Sequence, residues 1–397
     1  MNKQRLYQAI IAVLASLLFG AGSHGYSMAL GAPASYPPFS WRHVPTYADL
    51  GSYTGFTSAE AKFLATHFSA LSIEKAQGLA LRKPGEPRNG ESEFLRTARQ
   101  LKKFNPRVCV LFYWAADQVF PFYQADEALR STWVSTKKQG GLYKINNLGF
   151  QRWWVNVAAN MVAHKCVDGI FIDGGLPPMA WKKRAAAFLT LEKRLHDKLA
   201  RLNKPSLILL NGLEDCMNSI NSTGLNATYA NTHLQYSDGA MFEHFDFVYS
   251  GDPTGGSPNR VKAEMMAIMA EAKTGKIVVV KGWPNFNWIT PGIGTIPYST
   301  LVKRARKDIT FPLACFLICA QRYTYFQYSW GYSVGQGSIL LTPDKKKVDQ
   351  RWYPQLEKPL GHPLGQPDIH GYIFTRKFEH ASVWVDLSTH QARIQWR

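Results

Sequence analysis

V-D-G-I-F-I-D-G-G, residues 167–175, drives apolar side chains forward and then stops on a carboxylate and two glycines. A short β-branched and aromatic run bounded by glycine reads as a buried strand of a parallel sheet, here Gly169 to Asp173. Seven further runs have the same character: Phe39 to Trp41, Phe68 to Glu74, Val108 to Trp114, Leu207 to Asn211, Ala240 to Glu243, Ile277 to Lys281 and Leu313 to Ala320. Helical periodicity separates most of them, with apolar faces at Phe94, Ala98 and Leu101, at Trp153, Val157 and Met161, at Phe188, Leu195, Leu199 and Leu202, and at Val261, Met265, Ile268, Met269 and Ala272. Pro177 and Pro178 suit the first turn of the third of these helices. Eight β/α units over residues 36–335 predict a (β/α)8 TIM barrel of the α/β class. A doubly wound open sheet is the alternative, but its first strand would lead into a Gly-rich phosphate turn, and W-R-H-V-P-T-Y-A-D-L-G is not one.

In such a barrel the site lies at the C-terminal ends of the strands. Polar residues that end the apolar runs are Glu74, Asp117, Asp173, Asn211 with Glu214, Glu243 and Lys281. Aromatic residues accompany them: Trp41, Tyr113, Trp114, Phe242, Trp283, Trp288 and Tyr325. Flat rings beside carboxylates suit the C–H faces and hydroxyls of sugars. Each residue also has a structural reading. Asp173 could cap a following helix, Glu243 could pair with Lys281 or Arg322, and His244 could orient Glu243 or merely pack. Glu74 and Glu214 read as binding groups or exposed loop charges.

The chain of 397 residues carries 46 basic and 28 acidic side chains, a formal charge of +18. This excess favours a polyanionic partner such as an acidic polysaccharide or cell surface. No nucleic-acid-binding signature accompanies it. Five cysteines are not placed as a disulfide framework, and the Cys315/Cys319 pair lacks nearby histidines, so no metal is expected. Lys3 and Arg5, an apolar run from Ala9 to Phe19 and the small residues that follow have the layout of a signal peptide, residues 1–25. The expected location is secreted or periplasmic, without stable membrane insertion once the leader is removed. Residues 355–397 alternate apolar and polar positions and predict a small antiparallel β extension, about three strands, packed on the barrel.

The ordered set F-S-W, A-L-S-I-E-K, V-L-F-Y-W, R-W-W-V, V-D-G-I-F-I-D-G-G, L-L-N-G-L, G-A-M-F-E-H-F and L-G-x-P resembles the glycoside-hydrolase-like family fifteen, over about residues 36–397. The resemblance implies a barrel glycosidase, similar to the α-galactosidase and polygalactosaminidase barrels, with Asp173 and Glu243 as the catalytic pair. One departure is K-I-N-N-L-G-F-Q-R-W-W, where Asn146 and Asn147 stand in place of an expected D-x-x-N-P segment. Glycosidic cleavage needs one carboxylic acid and one carboxylate and no cofactor. Asp173, open beside its glycines, is expected as nucleophile or base, and Glu243 as the acid, kept protonated by desolvation against Phe242 and Phe245. Trp41, Glu74, Tyr113, Trp114, Asp117, Asn211, Glu214, His244, Lys281 and Trp283 are expected to bind the carbohydrate. A catalytically inactive, glycan-binding barrel is the competing reading.

Overall fold

The computed structural model describes residues 36–176, 182–217, 226–247 and 256–397. The expected leader and the expected helix start at Pro177 and Pro178 lie outside these residues. Eight parallel strands form one sheet in sequential order: β1 (Tyr47–Leu50), β2 (Ala70–Ile73), β3 (Cys109–Ala115), β4 (Gly169–Asp173), β5 (Leu207–Asn211), β6 (Gly239–Phe242), β7 (Ile277–Gly282) and β8 (Thr324–Tyr328). A parallel bridge from Thr46 to Phe326, with the Phe326 N–H donating to the Pro45 carbonyl at 2.8 Å, brings β8 back onto β1. The sheet is therefore a (β/α)8 barrel.

Helices α1 (Ser58–His67), α2 (Gly90–Phe104), α3 (Leu148–Val162), α4 (Lys182–Leu199), α5 (Ala227–His233), α6 (Pro258–Ala272), α7 (Tyr298–Asp308) and α8 (Thr310–Cys319) surround it. Strand parity sorts the side chains into two layers. Val110, Phe112, Ile170, Ile172, Leu210, Val278 and Val280 face the helices, whereas Leu111, Phe171, Leu209, Met241, Val279 and Tyr325 fill the barrel interior. Residues 36–39 close the N-terminal end: Tyr325 donates to the Pro37 carbonyl at 2.9 Å, and the Phe39 ring sits edge-on to Tyr323 and Tyr325.

A D-G pair starts both β4 and β6. The Asp168 carboxylate accepts the Val110 N–H at 2.8 Å, and the Asp238 carboxylate accepts the Ile208 N–H at 2.8 Å, so each aspartate clamps the strand before its own. Their backbone carbonyls take the first N–H of the strand after, Leu207 and Ile277 respectively, each at 2.9 Å. At Gly169 and Gly239 a Cβ would come within 2.2 and 2.0 Å of the Leu207 and Ile277 carbonyl oxygens, so only glycine fits this approach.

Two expected strands are corrected. Phe39 to Trp41 belongs to the N-terminal plug, and β1 lies further on in the short run Y-A-D-L. Leu313 to Ala320 is not the eighth strand: all but its last residue lie in α8, and β8 follows it. Every residue of α8 from Phe311 to Cys319 is buried. Its inner side meets β7 and its outer side meets the C-terminal sheet, so it has no polar face. That is why its apolar run does not show a helical period. The C-terminal sheet has four antiparallel strands, β9 (Asp368–His370), β10 (Ile373–Lys377), β11 (Ala381–Asp386) and β12 (Gln391–Trp396). All five cysteines are free thiols. Among the described residues no helix is long and apolar enough to cross a membrane.

One side chain pins this sheet to the barrel. Arg376 of β10, 3% exposed, donates to the carbonyls of Leu317, Ile318 and Ala320 at the end of α8 and to Gly365. An α-helix leaves its last carbonyls unpaired, and here the guanidinium satisfies them in the interior. Replacing Arg376 with leucine should destabilise the protein by about 2–4 kcal/mol, because buried carbonyls lose their donor. Denaturant midpoints check this, and Arg376→Lys should recover part of the loss.

Candidate active site

The polar ends of the strands converge on one mouth. Asp173 and Glu243 each stand five residues after the clamping aspartate of their strand, Asp168 and Asp238. Two strands pinned alike at the bottom thus present carboxylates at the same height. Between them, at the end of β5, lies Asn211. Its Nδ2 donates to Asp173 Oδ1 at 3.0 Å and to Glu243 Oε2 at 2.7 Å. One nitrogen holding both places these oxygens within about 6 Å of each other, inside the range of paired glycosidase carboxylates.

Each carboxylate takes a second donor. Tyr113, pointing inward from β3, donates its hydroxyl to Asp173 Oδ2, and Tyr332, from the loop after β8, donates to Glu243 Oε1. Both Asp173 oxygens are thus engaged by side chains from β3 and β5, which speaks against a simple helix cap. Glu214 orients the other acid: its carboxylate accepts the N–H groups of Glu243 and His244, each at 3.2 Å, and lies 2.9 Å from His244 Nδ1. Gly212, with φ of 106°, makes the turn that brings Glu214 back beneath β6. Trp283 donates its indole N–H to the Glu243 carbonyl at 2.8 Å and stacks on His244.

Lys281 is fully buried, its Nζ 3.9 Å from Glu243 Oε1 and resting 4.0 and 3.4 Å from the ring centres of Trp283 and Tyr332. This Nζ has no hydrogen-bond partner among the described residues and is held by charge and ring faces. Burial pulls its pKa down to about 8, against the raising effect of Glu243, Asp49 and Glu74. For Glu243, burial pushes the pKa up, but His244, Lys281 and the donors Asn211 and Tyr332 outweigh it and hold the carboxyl below its ordinary range. The expected protonation of Glu243 by apolar neighbours is therefore corrected: Phe242 and Phe245 belong to the outer core layer. Asp117 meets the turn after β4. A Cβ on Gly174, whose φ is 62°, would lie 2.6 Å from its carboxyl carbon. Burial and the neighbouring Asp173 raise Asp117 to about 6, while Arg184 opposes this.

Ten of the expected residues thus gather around the pair or form it: Asp173, Glu243, Asn211, Glu214, His244, Lys281, Trp283, Tyr113, Asp117 and Glu74, the last through Lys75. Two do not. Trp114 faces the helix layer, packed on Tyr123, Trp153 and Trp154, because it alternates with the inward Tyr113. Trp41 lies at the opposite end of the barrel against Phe39 and Phe378. The aromatic Tyr325 also closes that end, and Phe242 faces outward. Asn147, in the departing segment, caps α3 by accepting the Gly149 and Phe150 N–H groups at 2.9 and 3.1 Å.

Three site residues were not anticipated. Asp49 of β1 is buried beneath the mouth and accepts from Ser72 and, with burial and Glu74 beside it, has a pKa well above the carboxylate range. Lys75 reaches Glu74 at 2.8 Å and the Tyr113 hydroxyl at 3.1 Å. Tyr332 completes the set. The inward parity of Y-A-D-L was the signal for Asp49, and correct placement of β8 would have pointed to the loop holding Tyr332. Among the described residues no cluster of histidine, cysteine and carboxylates forms a metal site.

Residues 102–382 match the family model described as hypothetical glycosyl hydrolase family 15. No curated protein matches in sequence. Among solved structures, a maltogenic α-amylase from Thermotoga neapolitana aligns with a TM-score of 0.50 at 10% identity, over 86% of each chain. An α-amylase from Geobacillus thermoleovorans complexed with acarbose aligns at 0.48 and 9% identity, over 87% of each chain. A GH27 β-L-arabinopyranosidase from Geobacillus stearothermophilus aligns at 0.48 and 9%, over 87% of this chain and 84% of its own. At such identity the maltogenic amylase shares the fold and nothing finer.

Buried carboxyls make stability depend on pH in a definite direction. Burial raises Asp117 to about 6, Asp126 and Asp215 to about 7 and Glu264 to about 8. The folded chain keeps these protons where the unfolded chain, with ordinary values near 4, has lost them. Their stabilisation is complete below the unfolded values and is lost as pH rises through 6 to 8. His244, raised by Glu214 and Glu243 against the pull of burial, acts in the same direction. Glu243 acts oppositely, but only on acidification below the ordinary glutamate range. The melting temperature should therefore be several degrees higher at pH 5 than at pH 8, as scanning calorimetry at constant ionic strength would measure.

Proposed function

The chain belongs to hypothetical glycosyl hydrolase family 15, and from that premise we propose that it is a retaining glycoside hydrolase using Asp173 and Glu243. The observation that carries this is the Asn211 amide bonded to both carboxylates. An inverting pair must leave room for a water between carboxyl groups about 6.5–9.5 Å apart, whereas a retaining pair sits about 5–5.5 Å apart. Two oxygens shared by a single nitrogen fit the second case.

Asp173, an acceptor from Tyr113 and Asn211, is the nucleophile. It attacks the anomeric carbon as Glu243 protonates the departing oxygen; water, deprotonated by Glu243, then releases the sugar. Glu243 is an anion in the empty site, so it must take up a proton before the first step. Solvent supplies it at acid pH, and His244, 3.9 Å from Glu243 Oε2, is placed to relay it. Activity then belongs on the acid side of neutrality. The leader read at residues 1–25 goes with action outside the cytoplasm on an extracellular or periplasmic glycan.

A glycan panel assayed for released reducing ends identifies the substrate, and proton NMR of the first-formed anomer should show retention. Asp173→Asn should lower turnover by orders of magnitude while the melting temperature moves by only a few degrees, because asparagine preserves part of the hydrogen bonding. Full activity in this variant would remove Asp173 from the mechanism. Lys281→Met removes the cation that holds Glu243 down, so the alkaline limb of the kcat/KM profile should move to higher pH. A shift of the acid limb instead would make Glu243 the nucleophile and Asp173 the acid.

A further inference from the structure

A second cavity, about 330 Å³, opens at the same end of the barrel, between the loop after β7 and the loop after β8. Its volume lies in the range of small-ligand sites. Two rings, Trp288 and Tyr332, link its wall to the catalytic pair. Trp288, which lines it, packs 4.9 Å from the ring of Tyr332, and Tyr332 bonds Glu243. Trp330 and Tyr298 provide further aromatic wall, and Ser333 and Gln336 a polar one. The one charged residue lining it is Lys345, whose Nζ stands 5.2 Å from the Tyr298 ring centre. A turn fixes this lysine: its N–H donates to the Thr342 carbonyl at 2.7 Å, and its φ is 58°, a left-handed value uncommon for a lysine. Lys346 and Lys347 follow it, exposed.

The catalytic mouth differs in character: the pair itself, Asp173 and Glu243, with Glu74 and Glu214 beside it, puts carboxylates directly around the position of the cleaved bond. A negative group on the sugar held there would meet the Asp173 and Glu243 carboxylates at close range and be disfavoured.

We propose that this cavity is a binding subsite on the leaving-group side and that it takes a sugar bearing an anionic substituent, a carboxylate or sulfate recognised by Lys345, with the ring face on Trp288. The inference rests on the glycosidase reading above and makes it specific: a neutral sugar is cleaved from an anionic neighbour. The leaving group lies on the Glu243 side because Tyr332 and Trp288 join that acid to the cavity, and the acid must reach the departing oxygen.

The test uses the full-length protein and free sugars: galacturonate, glucuronate and galactose 6-sulfate beside galactose and glucose. Binding is followed by tryptophan fluorescence and saturation-transfer NMR at low ionic strength. The anionic sugars should bind about fivefold more tightly than their neutral parents, the scale of one partly exposed charge contact. Lys345→Ala should remove that difference, Lys345→Arg should keep it, Trp288→Ala should weaken all the sugars, and added salt should narrow the gap. Equal binding of charged and neutral sugars, indifference to Lys345→Ala, or no binding at all would overturn the proposal. If Lys345-dependent binding is found but no glycan is ever cleaved, the glycosidase reading fails and the subsite stands. If glycans are cleaved without any dependence on Lys345, the reverse holds.

Discussion

A single amide nitrogen sets the terms for the upper half of this barrel. Asn211 holds two carboxylates that would otherwise repel, and at a separation of about 6 Å that repulsion is roughly 3 kcal/mol at an effective dielectric near 20. One neutral donor does not offset so much, so the site recruits others. Lys281 and His244 sit against Glu243, Tyr113 and Tyr332 each give a hydroxyl proton, and Lys75 stands behind Tyr113. The burial of Lys281 without a hydrogen-bond partner follows from this arrangement. It is retained by the negative charge around it and by two ring faces, conditions that exist only when the whole mouth is assembled.

Such an arrangement requires strand ends fixed to a fraction of an ångström, and the D-G clamps at the foot of β4 and β6 supply that precision. A carboxylate that ties the preceding strand and a carbonyl that ties the following one leave neither strand free to slide. A slip of one residue would turn Asp173 or Glu243 toward the helices. The residues next to the chemistry therefore sit at strand ends or in the first residues beyond them, where the clamps fix their height, and only Tyr332 reaches in from a longer loop.

Much of this was legible in the sequence. The strands from β2 through β7 are announced by short apolar runs, and a carboxylate after such a run had to sit at the mouth once the barrel was recognised. What misled was local. Y-A-D-L is too short, and too interrupted by its buried aspartate, to stand out as a strand, whereas F-S-W beside it has the aromatic content of one. The fully apolar α8 carries no periodic signal because both of its sides are covered. Trp114 shows the limit of proximity arguments. It is the neighbour of an inward tyrosine, and for that reason it points away. The ionisation of Glu243 was only partly legible: its neighbour His244 and a pairing with Lys281 could be read from the sequence, but the Tyr332 hydroxyl comes from the loop after β8.

The covering of α8 also bears on how the protein is made. The helix is synthesised roughly seventy residues before β12, the last strand of the sheet that shields it. Until that strand leaves the ribosome, a wholly apolar helix has water on one side, and its terminal carbonyls await the guanidinium of Arg376. The nascent barrel therefore keeps an apolar surface exposed until the covering sheet has been made. A chain that stopped before Arg376 would be a substrate for chaperones and proteases rather than a shorter enzyme.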